Sequence, residues 1–316
     1  MENKAVIAID LGGTRIKLGL VRAGSVLLTD RMASQSGQGL QTRLPQIKAT
    51  LDRMLETAGL SASDLVGMGV AVPGIVDPIL KRVLSINDKY SDAPQLDLAG
   101  WARETWGIPL YLENDTRAAL LGEWQYGSGQ GYDNVVLMTL GTGVGTSAVI
   151  EGRLLRGKHF QAGILGGHFV QNTQGNRCNC GAVGCAEAEA STWSLGQRAT
   201  AHKTYAQSLL CRYDTVDFEA VFRCAAQGDA LATTLRDESI DVWATCAYNL
   251  VQAYDPEVLV LGGGVMASRD VIIPPIQHRL NQNTWATWGN VAVVPGLLTD
   301  SAALLGAAHL AYNREL

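Results

Sequence analysis

The sequence predicts an α/β protein built from two similar halves. A strand, a glycine-rich turn and a returning strand occur together from residue 5 and again from residue 134. The last third of the chain then alternates helix and strand, which is typical of a mixed sheet covered by helices. At 316 residues the chain is also long for a single hydrophobic core, so two domains are expected.

The first unit begins with "AVIAID", which is apolar and β-branched, and "RIKLGLV", whose apolar residues alternate. "LGGT" lies between them and therefore joins strand to strand. Both the P-loop and the dinucleotide-binding fingerprint need a strand-to-helix turn, so the pattern argues against each of them. A helix is predicted for about 40–58, and "LVGMGVAVPG" then reads as a buried strand that ends at Pro73-Gly74.

Later elements follow the same logic of periodicity and turn residues. "PLYLEN" is a short strand ahead of a helix from about Thr116, and "NVVLMTL", "GTGVGT" and "SAVIEGRLL" repeat the strand–turn–strand unit. The C-terminal third is predicted as helix, strand, Pro-interrupted helix, strand and final helix, in the segments "SIDVWATCAYNLVQAY", "EVLVLGGGV", "DVIIPPIQHRL", "NVAVVPGLL" and "SAALLGAAHLAY". No low-complexity linker is visible, so short hinges are expected.

Composition narrows the class of protein. The net charge is −5 and the lysines and arginines are scattered, which argues against a nucleic-acid partner. The N-terminal stretch "MENKAVIAIDLGG" lacks a signal-peptide core, and the uncharged stretch 134–150 is too short and too glycine-rich to cross a membrane. Six cysteines, three of them crowded near one histidine, suit a reducing cytoplasm and a metal better than disulfides.

Two glycine turns are candidate phosphate sites. In "DLGGTRIK" glycines let backbone N–H groups approach a phosphate, Thr14 adds a hydroxyl, and Asp10 is suited to Mg²⁺ through water. The alternative is a plain hairpin turn in which Gly12 and Gly13 supply positive φ. A second turn at 141–145 favours the phosphate interpretation, because two facing hairpins can grip a polyphosphate. A third turn, 262–264, fits a base or ribose, or simply a tight strand–helix connection.

"YLENDTRAALLGEW" offers a candidate catalytic carboxylate at the end of the short strand. Asp115 is placed either as a helix cap, a role worth roughly 1 kcal/mol, or as the general base that accepts a proton from an attacking hydroxyl. Asn114 could then hydrogen-bond neighbouring hydroxyls. The residues alone leave both interpretations open.

The strongest single pattern is His-x9-Cys-x-Cys-x4-Cys. One imidazole and three thiolates make a tetrahedral Zn²⁺ site with no open position, which is the mark of a structural site. The alternative is a set of buried thiols without metal. The four candidate ligands are His168, Cys178, Cys180 and Cys185, and Glu187 follows directly after the last of them.

Taken together, these segments resemble the ROK family (repressors, open reading frames and kinases) of the actin-like/hexokinase-like ATPase superfamily. The resemblance runs along nearly the whole chain and rests on "DLGGTRIK", "VAVPGIVD", "LENDTRAALLGEW", "TLGTGVGT", "GGHFVQNTQGNRCNCGAVGCAEAEAS" and "LVLGGGV". It implies two lobes with ribonuclease H-like mixed sheets and a zinc-bound loop, closing on a sugar and ATP·Mg²⁺. We expect an N-terminal lobe at 1–117, joined by the final helix 303–316, and a C-terminal lobe at 118–302.

The resemblance also implies roles for single residues. Asp115 matches the base that activates a sugar hydroxyl, usually O6, and the metal quartet matches the zinc ligands. The expected sugar contacts are Asn114, Glu187, His168 and Gly74, together with Asn87 as the best candidate in an altered segment. The expected phosphate and nucleotide contacts are Asp10, Gly12, Gly13, Thr14, Lys17, Gly141, Thr142, Gly143 and Gly263. A homodimer is expected on the same ground.

Two departures from the family pattern affect the expected substrate. The usual Glu-x-Gly-His reads "LGGH" here, so Leu165 replaces a carboxylate that contacts sugar hydroxyls. The usual Pro-Asn-Leu segment is replaced by "SINDKYSDAPQLDLAGW", which contains Asn87. The sequence therefore leaves the identity of the sugar open.

The predicted function is ATP-dependent transfer of the γ-phosphate to a hexose hydroxyl, with another hexose, an amino sugar or an N-acyl sugar as alternative substrates. A non-catalytic sugar sensor is the alternative of a different class, and Leu165 is the feature in its favour. A repressor would need a DNA-binding motif ahead of the sugar domain, and Asp10 leaves no room for one.

Overall fold

The computed structural model describes residues 4–314, which form two compact units. Unit one holds the chain through Gly131, the excursion Arg156–Gln161 and the chain from Asp300 onward. Unit two holds Tyr132–Leu155 and Ala162–Thr299. No helix in the described part of the chain is both long and apolar enough to cross a membrane.

The secondary structure alternates in the way the periodicity predicts. The strands are β1 (Ala5–Leu11), β2 (Arg15–Arg22), β3 (Ser25–Ala33), β4 (Leu65–Val72), β5 (Ile75–Asp77), β6 (Arg82–Ser85), β7 (Leu110–Asn114), β8 (Val135–Leu140), β9 (Val144–Ile150), β10 (Arg153–Leu154), β11 (Val258–Gly262) and β12 (Ala292–Pro295). The helices are α1 (Leu44–Ala58), α2 (Leu98–Trp106), α3 (Asp115–Tyr126), α4 (Ala186–Ala190), α5 (Thr192–Ala201), α6 (Phe218–Ala226), α7 (Ala230–Tyr254), α8 (Arg269–Asn283) and α9 (Ala302–Asn313).

The main sheets of the two units share one topology. In unit one the strand order is β3-β2-β1-β4-β7, with β1, β2 and β3 antiparallel and β1, β4 and β7 parallel. In unit two the order is β10-β9-β8-β11-β12, again with an antiparallel meander on one side and parallel strands on the other. The α/β fold with two similar halves, predicted from the repeated strand–turn–strand unit, is confirmed.

In unit one, helices α3 and α9 pack so closely that only glycine fits at their contact. Helices α3 and α9 contact each other and cover the sheet, and a Cβ atom on Gly306 would lie 1.8 Å from the carbonyl oxygen of Ala118. A Cβ atom on Gly122 would lie 2.1 Å from the carbonyl oxygen of Ala302. The predicted domain boundary at residue 117 falls inside α3, which continues to Tyr126 because its apolar face is buried in this packing.

Unit two packs its long helix α7 against the sheet through an apolar face. Trp243 is fully buried, its ring centroid lies 4.9 Å from that of Phe218, and its indole N–H donates to the carbonyl of Ala190. Helix α8 runs through Pro274 and Pro275 without a break, although the sequence predicts an interruption there. Its buried positions are Ile272, Ile276 and Leu280, so core packing offsets the missing backbone donors.

Candidate functional site

The turn between β1 and β2 carries the first group of charged residues. Asp10 pairs across the hairpin with Lys17, whose Nζ lies 3.8 Å from Asp10 Oδ2 and 2.9 Å from Asp300 Oδ1. Burial raises the pKa of Asp10 above its usual range, and the charge of Lys17 partly opposes that shift. The Lys17 ammonium is therefore committed to two carboxylates of its own unit.

The carbonyl groups of this turn accept hydrogen bonds from neighbouring segments of unit one. The Tyr90 hydroxyl donates to Gly12 O at 2.9 Å, the Ser34 hydroxyl donates to Gly13 O at 2.5 Å, and the Ser34 N–H donates to Thr14 O at 3.0 Å. In a trans peptide the N–H points opposite to the C=O. The peptide N–H groups that follow these carbonyls therefore face the other side, as an anion site requires.

Space requires a glycine at residue 12 of this turn. A Cβ atom on Gly12 would lie 2.6 Å from the carbonyl oxygen of Arg15. Neither Gly12 nor Gly13 has positive φ, so the alternative of a turn that uses glycine for its left-handed conformation is wrong. Close backbone approach is the physical reason for glycine here.

Asp115 is the first residue of α3, and it is not the helix cap. Asn114 is the N-cap, because its Oδ1 accepts from the N–H groups of Thr116 at 3.1 Å and Arg117 at 3.2 Å. The Asn114 amide also donates to Asp115 Oδ1 at 3.1 Å and to Gly74 O at 2.9 Å. The capping interpretation of Asp115 is therefore wrong, and its Oδ1 accepts from the Thr116 N–H at 2.8 Å as well as from Asn114.

The electrostatics of Asp115 suit a proton acceptor. Burial, and after it the neighbouring charge of Asp10, raises the pKa of Asp115 to about 7, against the opposing effects of the Thr116 N–H and Lys89. Along the sheet, Asp10 on β1 is paired with Ala71 on β4, and Ala71 is paired with Glu113 on β7. Asp10 and Asp115, which directly follows β7, therefore lie at the same edge of the parallel strands. A carboxyl whose pKa lies near neutrality can exchange a proton at physiological pH.

A buried ion cluster behind Asn114 and Asp115 was not predicted from the sequence. Glu113 is fully buried and accepts from Arg156 Nε at 2.8 Å, and the guanidinium of the fully buried Arg117 lies 3.4 Å from its other oxygen. Glu113 also accepts from the Asn114 N–H at 3.0 Å. The sequence does contain a signal for this cluster, namely a carboxylate inside the apolar strand "LYLEN", because a buried charge needs a partner of opposite charge.

The turn between β8 and β9 is held by neutral contacts and one carboxylate. The first amides of α5, on Thr192 and Trp193, donate to Gly141 O at 3.1 Å and to Thr142 O at 3.2 Å. Glu187 Oε2 accepts from the Val144 N–H at 3.0 Å, and a Cβ atom on Gly143 would lie 2.4 Å from this oxygen. The predicted sugar contact Glu187 therefore rests against the backbone of this turn.

The metal quartet comes together as the spacing predicts. The ligand atoms of His168, Cys178, Cys180 and Cys185 all lie within 4.8 Å of one another. Cys180 Sγ lies 3.6 Å from Cys185 Sγ, and Cys178 Sγ lies 3.6 Å from His168 Nδ1. Ligands about 2.3 Å from a tetrahedral Zn²⁺ are about 3.8 Å apart, so the donor set fits that ion.

The protonation of these thiols depends on whether a cation is bound. Without one, burial raises the pKa of Cys185 to about 12 and also raises the pKa of Cys178. A bound divalent cation inverts this balance, because coordinating thiols are deprotonated. The cluster is braced by Glu189, which accepts from the Asn176 N–H at 2.5 Å and from the Asn176 amide at 2.8 Å.

Comparison with known proteins agrees with this arrangement. Residues 6–314 match the ROK family. The chain belongs to the ROK family. It is 30% identical over 321 residues to a glucokinase of Thermotoga maritima, with 99% of each chain covered. It also resembles a ROK hexokinase from Thermus thermophilus (TM-score 0.78, 30% identity, 98% of each chain) and a ROK family glucokinase from Streptomyces griseus in complex with glucose and AMPPNP (TM-score 0.80, 29% identity, 98% and 99% of the two chains).

Within the ROK pattern, the sugar-side candidates have different environments. Gly74 has φ 142°, and a Cβ atom there would lie 2.4 Å from Ser85 O, so only glycine fits next to Asn114. Asn87 is exposed in the loop between β6 and α2. Leu165 is also exposed, three residues ahead of His168, whose N–H donates to its carbonyl.

The third glycine turn lies beside the second in unit two of this ROK protein. Gly263 has φ 91°, and a Cβ atom there would lie 2.2 Å from the carbonyl oxygen of Leu140, directly ahead of Gly141. Close packing of two turns is therefore enough to require this glycine. A residue that was not predicted from the sequence is Lys89, whose side chain lies against Gly13.

Proposed function

We propose that this ROK protein is an ATP-dependent sugar kinase that transfers the γ-phosphoryl group of ATP to a hexose hydroxyl, O6 in the first place. The observation that carries the proposal is Asp115. It is half-buried, desolvation raises its pKa to about 7, and Asn114 and Gly74 fix its position in the unit that carries the Asp10 turn. The named glucokinase and hexokinase relatives support the same reaction class.

In this mechanism the ionised Asp115 accepts the proton of the sugar hydroxyl as its oxygen attacks the γ-phosphorus. The new P–O bond forms as the bond to the bridging oxygen of ADP breaks, and ADP leaves with the electron pair. Phosphoryl transfer asks mainly for positioning and charge stabilisation, which the Gly12–Thr14 and Gly141–Gly143 turns would provide through backbone N–H groups. Gly263 and Lys17 complete the proposed nucleotide side.

Mg²⁺, when bound, would neutralise the phosphate charges, and Asp10 is the residue that we expect to hold it through water. Zn²⁺ is proposed as a structural ion held by the His168–Cys185 quartet. Four protein ligands leave no position for a reactive water, so the ion fixes the segment that leads into α4. His168, Glu187, Asn114, Gly74 and Asn87 remain the proposed sugar side.

The deciding experiment is a coupled assay of ATP consumption over hexoses, amino sugars and N-acetyl sugars, with Asp115→Ala measured in parallel. We expect at least one sugar to be phosphorylated by the native protein and turnover to be lost in the variant. A native protein that consumes ATP with none of these sugars would contradict the proposal.

A sugar-binding protein without turnover is the second candidate, favoured by Leu165, which places an exposed apolar group where a ROK kinase has a carboxylate. Calorimetric titration with the same sugars separates the two, since the sensor binds a sugar and consumes no ATP. A cytoplasmic homodimer is proposed on family grounds, and analytical ultracentrifugation tests its oligomeric state.

A further inference from the structure

The Lys89 side chain covers the glycine turn of unit one. An ideal Cβ atom on Gly13 would lie 2.6 Å from Lys89 Cε and 2.7 Å from Lys89 Nζ. The end of the lysine therefore occupies the space that a side chain at residue 13 would fill. Lys89 is half-buried, and its ammonium lies over the turn between β1 and β2.

This lysine differs from Lys17, the other cation of the turn. Lys17 is paired with Asp300 and Asp10. In the part of the chain that the structure describes, Lys89 forms no ion pair and no hydrogen bond. Its electrostatic partner is the more distant Asp115, whose pKa it lowers against the effect of burial. A cation that lies over a phosphate-type turn and has no ion-pair partner in contact among residues 4–314 is placed to receive an anion.

The loop is anchored so that Lys89 stays over the turn. The next residue, Tyr90, is fully buried, its N–H donates to Ser36 O at 2.8 Å and its hydroxyl donates to Gly12 O at 2.9 Å. Asp92 accepts from the N–H groups of Leu40 at 2.6 Å and Gln41 at 2.8 Å. These contacts fix the backbone on the C-terminal side of Lys89, which reduces the entropy lost when its side chain binds a ligand.

We propose that Lys89 is a catalytic residue that binds the terminal phosphoryl group of the nucleotide at the Gly12–Thr14 turn and neutralises its charge during transfer. The proposal rests on the proposed kinase function. The bond changes are unchanged: the sugar oxygen bonds to phosphorus, the bond to ADP breaks, and the proton goes to Asp115. Lys89 stays protonated throughout and contributes charge alone.

The test compares Lys89→Met and Lys89→Arg with Lys48→Met, which removes a lysine that is exposed on α1 and paired with Asp52. Isothermal titration with Mg²⁺·AMPPNP and with Mg²⁺·ADP measures the contribution of the terminal phosphate. We expect Lys89→Met to weaken AMPPNP binding by roughly 10-fold or more and ADP binding by less than about 2-fold, because a charge-assisted contact is lost at one phosphate only. Lys89→Arg should recover most of the AMPPNP affinity.

Turnover gives the second readout. On a sugar that the native protein phosphorylates, Lys89→Met should lower kcat while leaving the KM for the sugar within about twofold. An unchanged ratio of AMPPNP to ADP affinity in Lys89→Met would overturn the proposal while the kinase function stands. If the native protein phosphorylates no sugar, the kinase function fails, and the AMPPNP and ADP titrations still decide the role of Lys89.

Discussion

The two glycine turns occupy equivalent places in two sheets of the same topology, yet their surroundings differ in charge. The turn of unit one lies among Asp10, Lys17 and Lys89, and Asp115 belongs to the same unit. The turn of unit two is held by the backbone amides of α5 and by one carboxylate, Glu187, on Val144. The same strand–turn–strand unit therefore lies among charged side chains in unit one and among backbone contacts and one carboxylate in unit two.

This difference assigns separate tasks to the units. In unit one a side chain can exchange a proton and others can hold charge. In unit two the His168–Cys185 segment, α4 and the turn form one connected chain, because Cys185 is the N-cap of α4 and Glu187 lies on the first turn of α4. Defects in unit one should therefore reduce turnover, whereas defects in unit two should reduce stability and binding.

The largest expected effect belongs to unit one. Asp115→Asn should lower kcat by roughly 10²- to 10⁴-fold, since it removes the proposed general base while keeping the size of the side chain. Native kcat should rise with pH up to about 7 and level off above it, because the ionised carboxylate is the active form and burial raises its pKa to about 7. The pH profile of steady-state kcat checks both, and near-native turnover in the variant would remove Asp115 from the mechanism.

The unfolding temperature of Asp115→Asn provides the control, because it separates a loss of turnover from a loss of folded protein. When the pKa of a carboxyl is higher in the folded than in the unfolded chain, the folded state binds the proton more tightly. The free energy of unfolding of the protein therefore falls as pH rises from about 4 to about 7. Asp115→Asn removes that cost. Its unfolding temperature at pH 8 should therefore equal or exceed that of the native protein.

The second effect belongs to unit two. Cys180→Ser should lower zinc content and reduce the unfolding temperature by about 5 °C, equivalent to roughly 3 kcal/mol, because metal-binding energy is shared with folding. Sugar affinity should fall in parallel. Metal analysis, calorimetric unfolding and sugar titration test this, with Cys211→Ser as the matched control, since Cys211 is an exposed free cysteine outside the quartet. Full stability in a protein shown to contain no metal would rule out a structural zinc.

The third effect compares the turns directly. Gly12→Ala should raise the KM for ATP by roughly 10-fold or more, since its Cβ would lie 2.6 Å from a backbone carbonyl and the turn must shift. Gly141→Ala should leave the turn in place, because no described protein atom beyond its chain neighbours lies within 4 Å of the added Cβ, so any rise in its KM for ATP would report contact with the phosphates themselves. Equal effects of the two substitutions would show that the turns are used alike.

The sequence predicted what depends on local pattern. The repeated strand–turn–strand unit gave the fold class, and the His-Cys spacing gave a cluster that the structure brings together. Contacts between distant segments were not visible in the pattern. The return of Arg156 to Glu113 and the placement of Lys89 over Gly13 both join segments 43 or more residues apart. The cap at Asn114 rather than Asp115 was missed because either residue type can cap, and one residue of helix phase decides between them.

The smallest expected effect concerns substrate choice in unit two. Leu165 is exposed next to His168, so Leu165→Glu can be accommodated without loss of packing. The carboxylate should improve kcat/KM for the sugar whose hydroxyls it reaches by roughly 10-fold over its competitors, because it supplies a hydrogen-bond acceptor that an apolar group lacks. Leu165→Gln tests whether the charge is needed, and the sugar panel measures both variants. An identical order of preference in all three proteins would show that residue 165 takes no part in selecting the sugar, and the altered loop that contains Asn87 would then be the remaining determinant to exchange.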